Sequence, residues 1–198
     1  MSDGAPPIPD RFRAGIEVSS GFDERVVLRA LGRTDADAFA AHIAADVERL
    51  REHLPWPDST ASQAGARDWL DAYEAQRDGR VVVLGAWAGS RLLGGALLFH
   101  HDPEAAIVEL GCWVIASAEG RGVASACCRA LIAFAGDELA AERLEWHATT
   151  VNIASVRLAE RLGFRHEGTL RSADVLHGRR LDVEILSLVG SELDPSRR

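Results

Sequence analysis

The 198-residue sequence predicts a single domain of mixed α/β (α+β) class. Two apolar segments rich in branched residues flank Gly89-Ser90 and predict an antiparallel hairpin. After the hairpin, strand-like and helix-like segments alternate, which indicates strand–helix–strand units. No internal repeat or composition break divides the chain. We therefore expect a flexible leader over residues 1–20, one domain over 21–192 and a tail over 193–198.

The first half of the chain contains two predicted helices and three predicted strands. Each is supported by its apolar spacing or by its branched residues. Thr34, with Asp37 three residues later, resembles a capping box and starts the first helix. In chain order, the elements are a strand over 24–31, a helix from Thr34 to about residue 52, a proline-containing loop over 53–58, a helix over 61–77, and the hairpin strands 80–89 and 91–100.

The second half alternates strands and helices. A strand over 105–115 precedes the "EGRG" turn, and the helix after the turn has one apolar face. A strand over 143–151 leads into a helix with Asn152 as N-cap and Gly163 as C-terminal stop. The alternating segment 180–189 is the last strand, and "HGRR" forms the hairpin turn before it.

Composition and charge exclude several classes of protein. The net charge of -8 argues against broad nucleic-acid binding, which requires a basic face. No apolar run approaches the ~20 residues that cross a bilayer, and the N-terminus lacks the pattern of a secretory signal. Cys112, Cys127 and Cys128 make an odd count that suits reduced thiols. We expect a cytoplasmic protein with neither a membrane nor a nucleic-acid partner.

The turn "EGRGVA", residues 119–124, is a candidate ligand site. Gly120 and Gly122 precede a helix start, where unpaired N–H groups and the helix dipole favour an anion. The same residues would also make a tight strand-to-helix turn that binds nothing. A Walker loop requires a lysine, and the chain contains none. A dinucleotide fold would place its glycines after the first strand rather than after hairpins.

Asn152 and Ser155 lie three residues apart at the start of the following helix, so both side chains point to one edge of it. The ordinary roles of an N-cap and an exposed first-turn serine would explain them. Because they come one strand after the glycine turn, they are also placed to contact a ligand that runs between the two helices.

Two segments resemble the GNAT superfamily of acyl-CoA-dependent N-acyltransferases, in particular its ribosomal-protein-alanine (Rim-type) branch. They are "GCWVIASAEGRGVASACCRALIAFA" and "RLEWHATTVNIASVRLAERLGFRHEGTLR". "LREHLPWPD" also resembles a segment of this branch, and the similarity extends over about residues 24–190. The turn matches the family's Gln/Arg-x-x-Gly-x-Gly/Ala pattern at Glu119, Gly122 and Ala124. The resemblance implies a mixed, mostly antiparallel sheet of about six or seven strands, splayed after Val114 and flanked by about four helices.

The resemblance implies a site for acetyl-CoA. The pantetheine would pair with strand backbone near Cys112 and Val114, and Asn152 would contact the pantetheine arm. The pyrophosphate would lie on the backbone of the turn, formed by Glu119, Gly120, Arg121, Gly122, Val123 and Ala124. The family favours Gln or Arg where this chain has Glu119. We therefore expect the Glu119 carboxylate to point away from the pyrophosphate.

Acyl transfer to an amine requires a proton acceptor, an oxyanion donor and assistance to the leaving thiolate. The resemblance places Ser155 beside the thiolate and Asp174 as general base. Glu109, on the strand that leads into the splay, is the alternative base, and a backbone N–H near Val114 would meet the oxyanion. Neighbours in the run His100-His101-Asp102 point to opposite faces of a strand, so no metal site is expected.

The expected function is transfer of an acetyl group from acetyl-CoA to a primary amine by direct attack. The acceptor would be a protein N-terminus or a small-molecule amine. Two alternatives remain open: another acyl donor such as succinyl-CoA, and a non-catalytic CoA-binding regulatory module. A homodimer is expected from the family branch alone.

Overall fold

One open sheet forms the centre of the protein. The computed structural model describes residues 10–75 and 82–193. The strands are β1 (Ile16–Val18), β2 (Val26–Ala30), β3 (Val82–Ala88), β4 (Arg91–Asp102), β5 (Ile107–Val114), β6 (Arg143–Thr149), β7 (Arg165–Leu176) and β8 (Arg179–Val189). Their spatial order is β1-β2-β3-β4-β5-β6-β8-β7. Of these neighbours, β5 and β6 run parallel and the others run antiparallel.

Seven α-helices accompany the sheet in the described ranges. They are α1 (Asp10–Ala14), α2 (Ala36–Ala44), α3 (Val47–Arg51), α4 (Pro57–Thr60), α5 (Gln63–Ala75), α6 (Val123–Asp137) and α7 (Ile153–Arg161). No helix within residues 10–75 and 82–193 is long and apolar enough to cross a membrane. The mixed α/β class is confirmed, with eight strands instead of six or seven.

The sheet separates two hydrophobic cores. Along β3, Leu84 and Ala86 belong to one core, whereas Val83 and Trp87 belong to the other. The first core, called core A here, contains the buried face of α6, including Leu131 and Phe134. The second, core B, contains residues of α2 and α5. Because side chains alternate across a strand and both faces are covered, every residue of β3 is buried.

The N-terminal segment is folded from residue 10, so the predicted leader over 1–20 is too long. Phe12 is fully buried in core A and meets Phe134 edge-on, with ring centroids 5.7 Å apart. β1 then adds an antiparallel edge strand to β2. A single aromatic residue among glycines and prolines gives no periodic signal, which is why the sequence pattern missed it. At the other end Leu193 is buried, so the domain includes the first residue of the predicted tail; residues 1–9 and 194–198 lie outside the described ranges.

The helix expected from Thr34 to about residue 52 is broken into two. A 3₁₀ turn (Arg33–Asp35) precedes α2, and α2 ends at Ala44, so that α3 starts afresh after Asp46. The Asp46 carboxylate accepts hydrogen bonds from the backbone N–H of Ala116 and from the Arg49 side chain. Ala116 lies 70 residues along the chain from Asp46, so the local sequence pattern gives no sign of that contact.

The sheet splays between β5 and β6. Their parallel pairing is limited to three residue pairs, Ile107 with Arg143, Val108 with Leu144 and Glu109 with Glu145. The splay was expected after Val114, but β5 and β6 separate five residues earlier, after Glu109. The second half of β5 therefore keeps β4 as a neighbour on one side and has no strand on the other.

His42 on α2 links core B to the sheet. Its Nδ1–H donates to the Leu92 carbonyl at 2.8 Å, and its Nε2 accepts from the Trp113 indole N–H at 3.2 Å. Since an indole can only donate, the imidazole must be neutral, with its proton on Nδ1. Burial lowers the pKa of His42 to about 4.

Acidification should therefore destabilise the protein before its carboxylates protonate. The unfolded chain gains a proton at His42 near pH 6.5, whereas the folded chain does so near pH 4, so stability is lost as pH falls through this window. We expect a loss of about 2 kcal/mol between pH 7.5 and 4.5. Urea unfolding of the wild type and of His42→Gln across this range measures it. An equal pH slope in both proteins would contradict the assignment.

Candidate functional site

A cavity of about 870 Å³ lies in the splay. The second half of β5 forms one wall, and the N-terminal ends of α6 and α7 form another. The segment of α3 and the residues that follow it close the third side. The residues that line this cavity include Arg49, His53, Cys112, Val114, Glu119, Gly120, Gly122, Val123, Ala124, Asn152 and Ser155.

The backbone of β5 offers hydrogen-bonding groups to the cavity. Ile115 donates its N–H to Leu93 on β4, so the register makes Val114 and Gly94 a non-hydrogen-bonded pair. The N–H and C=O of Val114 therefore point away from β4, toward the splay. The register is regular back to Phe99 with Glu109, so the same holds for Cys112 opposite Ala96. These four backbone groups suit an extended ligand that pairs like a strand.

The glycine turn leaves the start of α6 without a side-chain cap. Gly120 and Gly122 have φ values of +68° and +76°, and Gly122 is the N-cap. The first amide bonded within the helix is that of Ala126, which donates to the Gly122 carbonyl. The amides of Val123 and Ala124 thus have no intrahelical acceptor. A Cβ at position 120 would meet no atom within 4 Å, so the space beside the turn is open to an anion.

Asn152 caps α7 and still faces the cavity. Its Oδ1 accepts the backbone N–H of Ser155 at 3.1 Å, which confirms the predicted N-cap. The amide nitrogen of the same side chain has no hydrogen-bond partner in the described residues, so it can donate to a ligand. The cap and the ligand contact use opposite ends of one side chain.

Ser155 is held by a residue that the sequence did not identify. The indole N–H of buried Trp146 donates to Ser155 Oγ at 2.9 Å. Because an indole cannot accept, the serine oxygen must be the acceptor and its own hydroxyl proton is left to donate. Ser155 lines the cavity, and its hydroxyl remains available there as a hydrogen-bond donor.

Arg49 is the partner of Glu119, the acid that stands where the family favours Gln or Arg. Its guanidinium donates to the Val114 carbonyl and to Glu119 Oε1, both at 2.5 Å, and to the Asp46 carboxylate. Burial would raise the pKa of Asp46, but hydrogen bonds from Arg49 and from the Ala116 amide outweigh it and lower that pKa. The Glu119 carboxylate therefore pairs with a cation on α3.

His53 is a second residue that the sequence analysis missed. It follows α3 and lines the cavity, and its buried Nδ1 has no hydrogen-bond partner in the described part of the chain. The nearest signal was the resemblance of "LREHLPWPD" to a family segment, which did not single out a side chain.

The side chains of three predicted site residues lie away from the cavity. Glu109 is held by two histidines, accepting from His100 Nδ1 at 3.0 Å with His147 Nδ1 at 3.5 Å. Asp174 is exposed on the edge strand β7, and its Oδ1 accepts the neighbouring Val175 N–H. Arg121 turns outward to Asp23 at 3.3 Å. The structure therefore brings neither predicted base to the other site residues.

The cysteines are unpaired and ill suited to nucleophilic attack. Cys112 lines the cavity, whereas Cys127 and Cys128 are fully buried. Burial raises the pKa of both buried thiols, so neither forms a thiolate near neutral pH. No cluster of three or more metal-ligating residues occurs within the described ranges.

A splayed mixed sheet beside an uncapped glycine turn defines a site for an extended ligand with a phosphate group, the arrangement of acyl-CoA-dependent transferases. The chain belongs to the GNAT acetyltransferase family: the family model, described as an acetyltransferase (GNAT) domain, matches residues 25–165. The protein is thus an N-acetyltransferase of the GNAT type, a family that uses acetyl-CoA as donor. The predicted family, enzyme class and cofactor are confirmed.

One named relative and two solved structures are similar to most of this chain. The Bacillus subtilis (strain 168) protein named "Putative ribosomal N-acetyltransferase YdaF" is 30% identical over 175 residues, covering 86% of this chain and 94% of YdaF. Mycobacterium smegmatis RimJ in complex with CoA-disulfide has a TM-score of 0.81 at 21% identity, covering 91% of this chain and 88% of RimJ. RimL, a ribosomal L7/L12 α-N-protein acetyltransferase in complex with coenzyme A, has a TM-score of 0.80 at 20% identity, covering 89% of this chain and 99% of RimL. The last two likenesses show the fold.

Two substitutions at Asn152 separate its two contacts. Asn152→Asp keeps the cap acceptor and adds a favourable charge at the helix start, but it loses the amide donor. We expect Asn152→Asp to retain the wild-type melting temperature and to bind CoA several-fold more weakly. Asn152→Ala should lose both, with about 1 kcal/mol of stability. Melting curves and CoA titrations of the three proteins measure these effects. Unchanged CoA affinity in Asn152→Asp would exclude the ligand contact.

Proposed function

We propose that the protein acetylates the α-amino group of a protein N-terminus, with a ribosomal protein as the first candidate. The likeness to YdaF, which covers most of both chains, supports this acceptor class. The net charge of -8 suits cationic acceptors such as basic ribosomal proteins. A small-molecule amine is the second candidate, because the same charge suits it as well.

The donor site is assigned to three groups of residues. The backbone of Cys112 and Val114 would pair with the pantetheine arm, and the Asn152 amide would donate to it. The amides of the turn, Gly120 to Ala124, would hold the pyrophosphate. Bound there, acetyl-CoA supplies an acetyl thioester to the cavity. The inward N–H of Val114 is placed to donate to the carbonyl oxygen under attack.

Ser155 carries the mechanistic part of the proposal. Trp146 occupies the serine oxygen as donor, so the hydroxyl proton is directed to another acceptor. We assign that proton to the leaving sulfur. Since a thiolate is a good leaving group, we expect Ser155 to stabilise it only by the free energy of one charge-assisted hydrogen bond.

The attacking amine must lose a proton, and His53 is the base that the cavity offers. Apart from Arg49 and Arg161, the titratable side chains that line it are His53, Glu119 and Cys112. Glu119 is paired with Arg49, and Cys112 belongs to the donor wall. We therefore assign the proton from the amine to an imidazole nitrogen of His53, in place of Asp174 or Glu109.

We further propose that the protein is cytoplasmic and forms a homodimer. A cytoplasmic location agrees with three unpaired cysteines. A homodimer would have to bury exposed apolar side chains, and Leu170 and Val175 on β7 are more than half exposed. Size-exclusion chromatography with light scattering measures the assembly state.

Thiol release decides between an enzyme and a CoA-binding module. Purified protein is mixed with acetyl-CoA or succinyl-CoA and with N-terminal peptides of ribosomal proteins or small amines. We expect CoA thiol to appear fastest with acetyl-CoA and a peptide, and mass spectrometry should find one acetyl group on its α-amine. Binding of CoA without turnover across the panel would favour the regulatory module. Faster turnover of succinyl-CoA than of acetyl-CoA would identify succinyl-CoA as the donor.

Substitutions rank the candidate bases. His53→Gln should lower kcat about 100-fold, the usual contribution of a general base. Ser155→Ala should lower kcat about tenfold, the worth of one hydrogen bond to a charged group. Asp174→Asn and Glu109→Gln should stay within about twofold, since neither side chain reaches the cavity.

The matched control is His166→Gln, the same change at a histidine that pairs with Glu184 outside the cavity. A large loss in Asp174→Asn with none in His53→Gln would return the base to the predicted carboxylate.

A further inference from the structure

We infer that Arg49 is a donor-specificity residue. Its side chain contacts the part of β5 that a pantetheine arm would pair with. When CoA binds, the pyrophosphate would attract the guanidinium away from that part of β5. The site would then select thioesters that carry phosphate over bare pantetheine thioesters. The inference rests on the proposed placement of CoA along β5 and on the glycine turn.

The first observation is the contact between Arg49 and β5. Nη2 of Arg49 donates to the Val114 carbonyl at 2.5 Å. That carbonyl faces the splay, because Val114 forms a non-hydrogen-bonded pair with Gly94. The guanidinium therefore fills the hydrogen-bonding edge that the strand offers to an extended ligand. An arm that pairs there must displace it.

The second observation is that the guanidinium of Arg49 has a well-fixed partner on the side of Nε and Nη2 and an exposed partner at Nη1. Nε and Nη2 both contact Asp46, whose carboxylate is also fixed by the Ala116 amide. Nη1 contacts Glu119, whose side chain is 53% exposed. An ion pair this exposed contributes little, because solvent screens it. The Asp46 contact thus anchors Arg49, while its Glu119 contact is easily exchanged.

The third observation is the position of that exchangeable partner. Glu119 immediately precedes Gly120, the first residue of the open anion turn. An anion on the turn lies next to the Glu119 carboxylate, so it repels the carboxylate and attracts the guanidinium. A pyrophosphate also offers several acceptor oxygens to the N–H groups of the guanidinium. Arg49 can therefore exchange Glu119 and Val114 for the pyrophosphate while Asp46 retains it.

Bare pantetheine lacks this means of release. It offers the same amide groups to β5, but it carries no charge to attract Arg49. The latch formed by Arg49 with Val114 and Glu119 would remain in place and compete with pantetheine for the strand edge. Removing Arg49 should therefore weaken the binding of CoA without weakening that of pantetheine, a result that a purely structural role does not give.

Binding of three ligands to two arginine variants tests the inference. Calorimetric titrations use CoA, dephospho-CoA and pantetheine with Arg49→Ala, and with Arg51→Ala as matched control. Arg51 lies on the same helix and pairs with Glu48 and Asp58. We expect Arg49→Ala to bind CoA and dephospho-CoA about tenfold more weakly, the loss of one charge-assisted contact. Pantetheine should bind Arg49→Ala as well as, or more tightly than, the wild type. Arg51→Ala should bind all three like the wild type.

Glu119→Gln provides an independent variant with a gain as its expected outcome. It weakens the partner that holds Arg49 away from the turn and removes a negative charge beside the pyrophosphate. CoA should bind this variant about threefold more tightly, with a smaller change for pantetheine. If Arg49→Ala fails to fold, as judged by its melting curve, this variant still decides the question. Weaker or unchanged CoA binding by Glu119→Gln would count against the latch.

The outcomes separate the two proposals. If the wild type binds none of the three ligands, the proposed cofactor placement is wrong. If the wild type binds CoA but Arg49→Ala weakens CoA and pantetheine equally, or neither, the Arg49 inference is overturned and the cofactor site stands.

Discussion

The early separation of β5 from β6 is the constraint on which the rest of the site depends. A strand inside a sheet must satisfy its backbone groups on both sides, and unpaired groups are costly when buried. β5 meets this requirement with β6 only as far as Glu109. Beyond that point the groups of Val114 have no strand partner, and an arginine side chain covers one of them. The cavity is thus a gap in a hydrogen-bonded sheet, and it favours ligands that can complete the sheet.

The local parts of the site could be predicted from the sequence, because they depend on short-range rules. A glycine turn before a helix and an asparagine N-cap act within four residues, and the structure has both. Arg49 and His53 could not be found this way. Arg49 reaches the site because Asp46 breaks a predicted helix, and Asp46 does so through a contact 70 residues away. Asp174, the base that the resemblance implies, lies on β7, an edge strand whose register shifts between Leu170 and Asp174, and its side chain does not line the cavity.

The opposite charges of Arg49 and Glu119 balance each other at the cavity, although neither side chain is fully buried. Glu119 would repel an anion bound to the turn, yet its carboxylate is paired with Arg49. The acid at this position is therefore compatible with an anion site because a cation from another element accompanies it. The pair also connects α3 to the turn, so the two walls of the cavity are coupled by one exposed and exchangeable contact.

The two cores give the cavity walls separate structural support. Val123 and Leu158, on the side of the turn and α7, belong to core A, whereas Leu50, Leu54 and Trp113 belong to core B. Substitutions that reshape the layer of α2 to α5 can therefore alter one wall while the other keeps its packing. For a lineage of such proteins, this division would let one wall change shape through substitutions in a single hydrophobic layer while the packing behind the other wall is kept.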